Sequence, residues 1–344
     1  MTADGSLAIR SSKKQSRRPD SELPPGIIAL CYHGIEKVLV KPWVQSVHNR
    51  LSDFRRHIAF LKRHAAIISV PQLLALLSRK EPIDRFTAVI TFDDGYKNNL
   101  RRVAPFLLSE EVPFSVFAST HHVETGARFP TFVIRACFAS TRKRSVEFPS
   151  LQLTYNFRTE ADRIRAAKDL NQRIKRLAQD DVERVVREAK AILGATEWER
   201  LLNLYSSDEL MSWDELCDLQ RLGVTIGSHG HRHAILHAEQ SRAVIEAELA
   251  QSKALIERHV GDCPFFAFPN GGVHDITPHA LRRVRAHGYQ LSFAAVPGLI
   301  QPGASPHALP RIFPAGPLDA FIAQLRAVGS RTAEYQQWRD QLDR

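Results

Sequence analysis

From Pro25 onward, short apolar runs alternate with segments of helical period. Ile27-Ile28-Ala29-Leu30-Cys31-Tyr32 is continuous, short and preceded by a Pro-Pro-Gly break, which predicts a buried strand. Leu51, Phe54, Ile58 and Leu61 recur at three- and four-residue steps, the stripe of an amphipathic helix. Ala66 to Val70 reads as a second strand, and Pro71 opens a Leu-rich helix where proline costs no hydrogen bond. Thr87-Ala88-Val89-Ile90-Thr91-Phe92 is the clearest strand, β-branched and without helical period. A helix around Leu100–Leu108 and a strand at Phe114–Ala118 follow.

The rhythm breaks at residues 128–210 and then resumes. Met211–Leu222 is helical in pattern, and Val224-Thr225-Ile226-Gly227 is a strand. Ile245, Leu249, Ser252 and Ile256 mark a helix that ends at Gly261. Phe265–Phe268, Leu291–Ala295 and Arg311-Ile312 are further short strands, with helices near Pro278–His287 and Leu318–Val328. About seven such alternations predict an α/β fold: a distorted (β/α) barrel of about seven parallel strands with a helical insertion. An open doubly wound sheet would show the same periodicity. The insertion is charged and strongly helical over 159–194, with Ile164, Leu170, Ile174, Leu177, Val182 and Val186 as its apolar positions. It reads as helices packed on the rim of the main domain, with a substrate lid or partner-binding arm as the functional alternative. The expected organisation is a disordered basic tail over 1–24, one domain over 25–330 carrying the insertion, and a C-terminal tail over 331–344.

A hydrophobic fraction of 44% with 24% charged residues is that of a globular protein, so wholesale disorder is excluded. No run of eighteen apolar residues occurs, which removes a transmembrane helix. The net charge of +10 points to nucleic acid, an anionic membrane surface or an anionic substrate without choosing among them. Cysteines 31, 137, 217 and 263 have no CxxC spacing and are expected to be reduced thiols, mostly buried. Lys13, Lys14, Arg17 and Arg18 lack the apolar core of a secretory signal behind them. The expected location is therefore the cytoplasm or the cytoplasmic face of a membrane, with peripheral contact through those cations as a further option.

Three polar clusters stand directly after predicted strands, where parallel α/β folds build their sites. Asp93 and Asp94 follow the strongest strand, and two adjacent carboxylates repel unless a cation or shared proton offsets them. A turn at Gly95 can bring both toward one place. His229, His231 and His233 follow another strand. Four residues apart, His229 and His233 would share one face of a helical turn and grip a single divalent ion, with a carboxylate completing the set. Phe266-Ala267-Phe268-Pro269-Asn270-Gly271-Gly272 ends a third strand.

Thr-Phe-Asp-Asp-Gly, then Ser-His-x3-His followed by leucine, then Phe-Ala-Phe-Pro-x-Gly resembles the NodB-homology polysaccharide deacetylases, carbohydrate esterase family 4. Cys31-Tyr32-His33-Gly34-Ile35 is similar to the Tyr-His segment that begins many bacterial members, and the resemblance spans roughly Pro25 to Pro314. It implies a metal-dependent enzyme that hydrolyses the N-acetyl group of an amino-sugar glycan or glycolipid to free amine and acetate. Asp93 would be the general base. Asp94, His229 and His233 would hold zinc, with cobalt or nickel as alternatives, and metal-bound water would be the nucleophile. Tyr96 would offer a backbone N–H to the oxyanion, and Pro269, Asn270 and Gly271 would shape one wall of the groove.

Two departures from the family pattern matter. Ala267 stands where many members carry the arginine that orients the base, and Arg311 is the candidate replacement. The usual late Leu-x-His, whose histidine protonates the leaving amine, is replaced by Leu309-Pro310-Arg311. His33, at the end of the first strand, is the candidate proton donor, with His231, His274 and His307 behind it. The rival from another class is a basic nucleic-acid- or membrane-binding protein with a degenerate, non-catalytic site. The expected partner is an N-acetylated glycan or lipid-linked sugar, with no nucleic acid.

Overall fold

The computed structural model describes residue 23, residues 25–80 and residues 83–343. The basic tail expected over 1–24 lies outside the described residues, apart from Leu23. Seven strands form one parallel sheet. In chain order they are β1 (Gly26–Tyr32), β2 (Ala66–Ile68), β3 (Phe86–Phe92), β4 (Ser115–Ala118), β5 (Thr225–Ser228), β6 (Phe265–Ala267) and β7 (Leu291–Phe293). β1 and β3 pair over their full length, from Gly26 opposite Phe86 to Tyr32 opposite Phe92. The other edge of β3 takes β2 along Thr87–Val89 and β4 at Thr91 and Phe92. The sheet then runs β4–β5–β6–β7.

The ring closes through residues 309–312. Leu309 bridges to Phe293 of β7 and Ile312 to Leu30 of β1, both parallel. The Ala294 N–H donates to the Leu309 carbonyl at 2.8 Å, and the Cys31 N–H to the Ile312 carbonyl at 2.8 Å. The architecture is thus the distorted barrel, one of the two arrangements that the alternation allows.

Both faces of this sheet are buried, which explains why its strands are continuous apolar runs rather than alternating ones. Side chains still point alternately inward and outward. Ile27, Ala29, Val89, Phe117, Phe265, Ala267, Phe293 and Leu309 pack together inside the ring. Ile28, Leu30, Ala88, Ile90, Val116, Ile226 and Phe266 face the surrounding helices. The Leu51–His64 helix lays Leu51, Phe54, Ile58 and Leu61 against them, the stripe read from the sequence. The helix after β2 begins with a capping box in which Ser69 and Gln72 satisfy each other's backbone N–H groups.

Residues 128–210 form helices Pro130–Ser140, Glu160–Ile174, Gln179–Leu193 and Ala195–Leu204. They also contain an antiparallel hairpin, Ser145–Phe148 with Leu153–Asn156. This region has a core of its own, including Phe138, Phe148, Phe157, Leu170, Ile174 and Val185. The expectation of a C-terminal tail over 331–344 is corrected. Thr332–Leu342 is a helix, and its Tyr335, Trp338 and Leu342 are buried in the main core. Spaced three and four residues apart, these apolar side chains form one stripe that would cost free energy if left in water. All four cysteines are free, and Cys31, Cys137 and Cys263 are buried. No described helix is long and apolar enough to cross a membrane.

Candidate active site

Strand alternation assembles the site from distant parts of the chain. The inward positions of each strand, continued past its last apolar residue, are Cys31 on β1, Asp93 after β3, His229 after β5 and Arg311 on the closing segment. The four side chains meet at one mouth of the ring. Arg311 is 1% exposed. It grips Asp93 with two parallel bonds, Nη1 to Oδ1 at 2.8 Å and Nη2 to Oδ2 at 2.7 Å. Its Nε donates to the Ala294 carbonyl at 3.0 Å, and Nη1 also reaches Thr91 Oγ1 at 3.1 Å. The Cys31 thiol donates to Asp93 Oδ2 at 3.1 Å.

Asp94 follows Asp93, so plain alternation would point it away. Its φ of 75° and the φ of 80° at Gly95 swing the carboxylate back to the same mouth. Left-handed backbone is more accessible to aspartate than to most residues. Asp94 Oδ1 then lies 3.5 Å from His229 Nε2 and 3.5 Å from His233 Nε2. The expectation that one helical turn aligns the two histidines is corrected. Residues 229–236 are a loop, turned by φ of 77° at Gly230 and 59° at His233.

Glu248, buried on the Arg242–His259 helix, holds that loop. Its carboxylate accepts the Arg232 N–H at 2.8 Å and the Ala234 N–H at 3.2 Å, the two peptides flanking His233. A Cβ at position 230 would stand 2.6 Å from Glu248 Oε2, so glycine is required there. The sequence reading missed Glu248 because a lone glutamate in an amphipathic helix looks like surface charge. It missed the role of Cys31 too, although strand parity places that residue beside Asp93.

The three donor atoms on Asp94, His229 and His233 fit a divalent ion. Metal–ligand bonds of about 2.1 Å at tetrahedral angles put ligand atoms about 3.4 Å apart, and the distances from Asp94 Oδ1 match that. Asp94 Oδ1 is buried with no hydrogen-bond donor among the described residues, an arrangement that costs free energy unless a cation faces it. His229 Nδ1 lies 2.8 Å from the Ala267 carbonyl. That acceptor requires the proton on Nδ1 and leaves the Nε2 lone pair toward the carboxylates. Burial lowers the His229 pKa to about 4, so the ring is a neutral donor at ordinary pH. Burial alone would raise Asp93. The Arg311 charge and bonds, with help from His229, outweigh it and hold Asp93 at about 2. Asp94 is likewise held below the usual carboxylate range, burial being overcome by its imidazole neighbours.

A cavity of about 440 Å³ opens onto these groups. His33 lines it, with a ring nitrogen within 4.8 Å of both the Cys31 sulfur and the Asp93 carboxylate, and its ring stacks on Phe313. Tyr96 lines it as well. Its neighbours pin the backbone there: the Met211 N–H donates to the Gly95 carbonyl at 3.0 Å and the Lys97 N–H to the Glu209 carbonyl at 2.8 Å. Of the expected wall residues, Asn270 lines the cavity, whereas Pro269 and Gly271 are not among its lining residues. Gly271 packs so closely that a Cβ would stand 2.9 Å from the Ala295 nitrogen. His231, His274 and His307 are absent from the lining, so none joins His33 at the site. The insertion reaches it: Phe129, Thr131, Arg135, Asn171, Lys175 and Gln179 form one side of the cavity.

Residues 80–292 match the model of the family described as polysaccharide deacetylase. Three solved structures share the fold. The Streptococcus pyogenes deacetylase PplD in complex with acetate is 13% identical, with a TM-score of 0.56 over 88% of this chain and 99% of that one. IcaB from Ammonifex degensii is 16% identical, with a TM-score of 0.53 over 88% and 98%. The BpsB deacetylase domain from Bordetella bronchiseptica is 15% identical, with a TM-score of 0.51 over 86% and 98%. No curated protein matches the sequence.

Proposed function

The chain belongs to the polysaccharide deacetylase family, and from that premise we propose that it hydrolyses the N-acetyl group of an amino-sugar glycan or glycolipid. Asp94, His229 and His233 would hold a divalent cation, zinc in the first instance, with cobalt and nickel able to use the same donors. The observation that carries this reading is the buried Asp94 Oδ1, which faces two imidazole nitrogens at 3.5 Å and has no hydrogen-bond donor among the described residues. When bound, the cation acidifies water and polarises the amide carbonyl.

The remaining work falls to the protein's own groups. Asp93 is kept ionised at neutral pH by the Arg311 charge, which bonds both of its oxygens. It takes a proton from the water that adds to the acetyl carbon. Arg311 does here what an arginine at the position of Ala267 does in many members of the family, reaching the base from the seam of the barrel instead. The backbone N–H of Tyr96 would stabilise the oxyanion. The C–N bond then breaks, and His33 gives a proton to the departing amine nitrogen. Acetate and a free amino sugar leave.

A complete donor set favours this over a basic binding protein with a degenerate site. The test is acetate release from a panel of N-acetylated glycans, with chelator and after addition of zinc or cobalt. Loss on chelation and recovery on metal addition are expected. Release that is indifferent to chelator would overturn the metal assignment, and no release from any glycan would overturn the activity.

A further inference from the structure

We infer that the cavity is built for an amino sugar that carries an anionic group, a phosphate ester or a carboxylate, received by Arg135 and Lys175 of the insertion. The inference rests on the deacetylase reading above and adds the chemical class of the substrate. Arg135 projects from the Pro130–Ser140 helix, and its Nε donates to the Val44 carbonyl at 2.7 Å. That bond fixes the guanidinium and leaves its two terminal nitrogens without a carboxylate. Lys175 stands at the end of the Glu160–Ile174 helix and donates from Nζ to Asn270 Oδ1 at 2.6 Å. Neither cation forms an ion pair among the described residues, whereas the adjacent Arg176 does, with Asp275 at 3.5 Å.

The charge balance of the cavity makes these two cations informative. Asp93 and Asp94 are the carboxylates that line it. Asp93 is neutralised by Arg311, and Asp94 faces the cation site. Arg135 and Lys175 therefore remain without an ion-pair partner among the described residues, in a partly desolvated wall where burial works against both charged forms and more distant carboxylates, Asp208 and Asp94 for Arg135 and Asp275 for Lys175, work the other way. An anion bound between them removes that cost. The guanidinium fork suits the paired oxygens of a phosphate or carboxylate.

Asn171 and His237 also line the cavity, and their Oδ1 and Nε2 atoms are buried without hydrogen-bond partners among the described residues, which leaves polar capacity beside a sugar. The volume is that of a site for a small ligand.

The test compares kcat/KM of the metal-supplemented full chain on three substrates: N-acetylglucosamine 1-phosphate, N-acetylmuramic acid and the neutral methyl N-acetylglucosaminide. At least one anionic sugar is expected to be preferred over the neutral one by about tenfold or more, a difference of about 1.4 kcal/mol. Which of the two it is tells phosphate from carboxylate. Arg135→Gln and Lys175→Gln should each shrink that ratio mainly through KM, and Arg135→Lys and Lys175→Arg should restore most of it. Equal turnover of neutral and anionic sugars would overturn the inference while leaving the deacetylase reading intact. Calorimetric binding of the same sugars to Asp93→Asn makes the subsite testable without turnover. If no sugar is deacetylated, an anion preference in binding that Arg135→Gln abolishes still supports the subsite, and its absence removes it.

Discussion

Asp93, His229 and Arg311 sit on strands or their extensions inside a closed ring, each held by neighbours on both sides. Arg135 and Lys175 reach the same cavity from helices that pack on a separate core, around Phe138 and Leu170. In the ring, side-chain direction follows from strand parity, so a chemical group can be placed only at fixed positions. In the insertion it follows from helix packing against a core the barrel does not share. The first arrangement suits chemistry that tolerates no displacement, and the second suits a wall that differs with substrate. A protein divided in this way can keep one reaction and change what it acts on.

The largest expected effect breaks the ring side of that contrast. Asp93→Asn should lower kcat by about a thousandfold while retaining cobalt or zinc binding by titration, which separates base from ligand. Arg311→Met should follow, because it leaves the buried Asp93 charge unpaired. A loss of about 3–5 kcal/mol in stability is expected, measured by denaturant unfolding. On the insertion side, Phe138→Ala removes a fully buried ring and should cost about 3–5 kcal/mol. Hydrogen exchange should show that lost protection confined to residues 130–204; loss that spreads through the strands would end the claim of two cores.

Glu248→Gln sharpens the contrast more gently. It keeps the shape but weakens the acceptor for the loop that carries His233, so metal affinity should fall by about tenfold with the fold intact. Smallest is a pH effect away from the site. Burial holds His57 at about 4, against an ordinary 6.5. The unfolded chain therefore takes up the proton first as pH falls. Stability is full above about pH 6.5 and declines toward pH 4, and His57→Gln should flatten that slope in thermal melts.

Much of the ring was legible because strands buried on both faces are written as unbroken apolar runs: Ile27–Tyr32 and Thr87–Phe92 each fall within the observed strands. Polar residues directly after such runs mark the mouth of the ring, which is why Asp93, Asp94, His229 and His233 are found together. The geometry between His229 and His233 was not legible. A four-residue spacing fits a helical turn, yet the loop is set by Glu248, a residue from another element. The hairpin at 145–156 escaped notice because its strands are four residues each and stand among helices. Arg135 and Lys175 carry no local signal at all, since in a chain rich in arginine and lysine only the cavity distinguishes them.

The partner that steadies Asp93 lies on the seam, the last piece of the ring to be synthesised. A nascent chain that has exposed β1 to β7 already carries Asp94, His229 and His233 but has no counter-charge for Asp93. Until residues 309–312 slot between the first and last strands the ring stays open and Asp93 lacks its arginine, so a chain halted after β7 has neither the closing bridges nor the paired carboxylate.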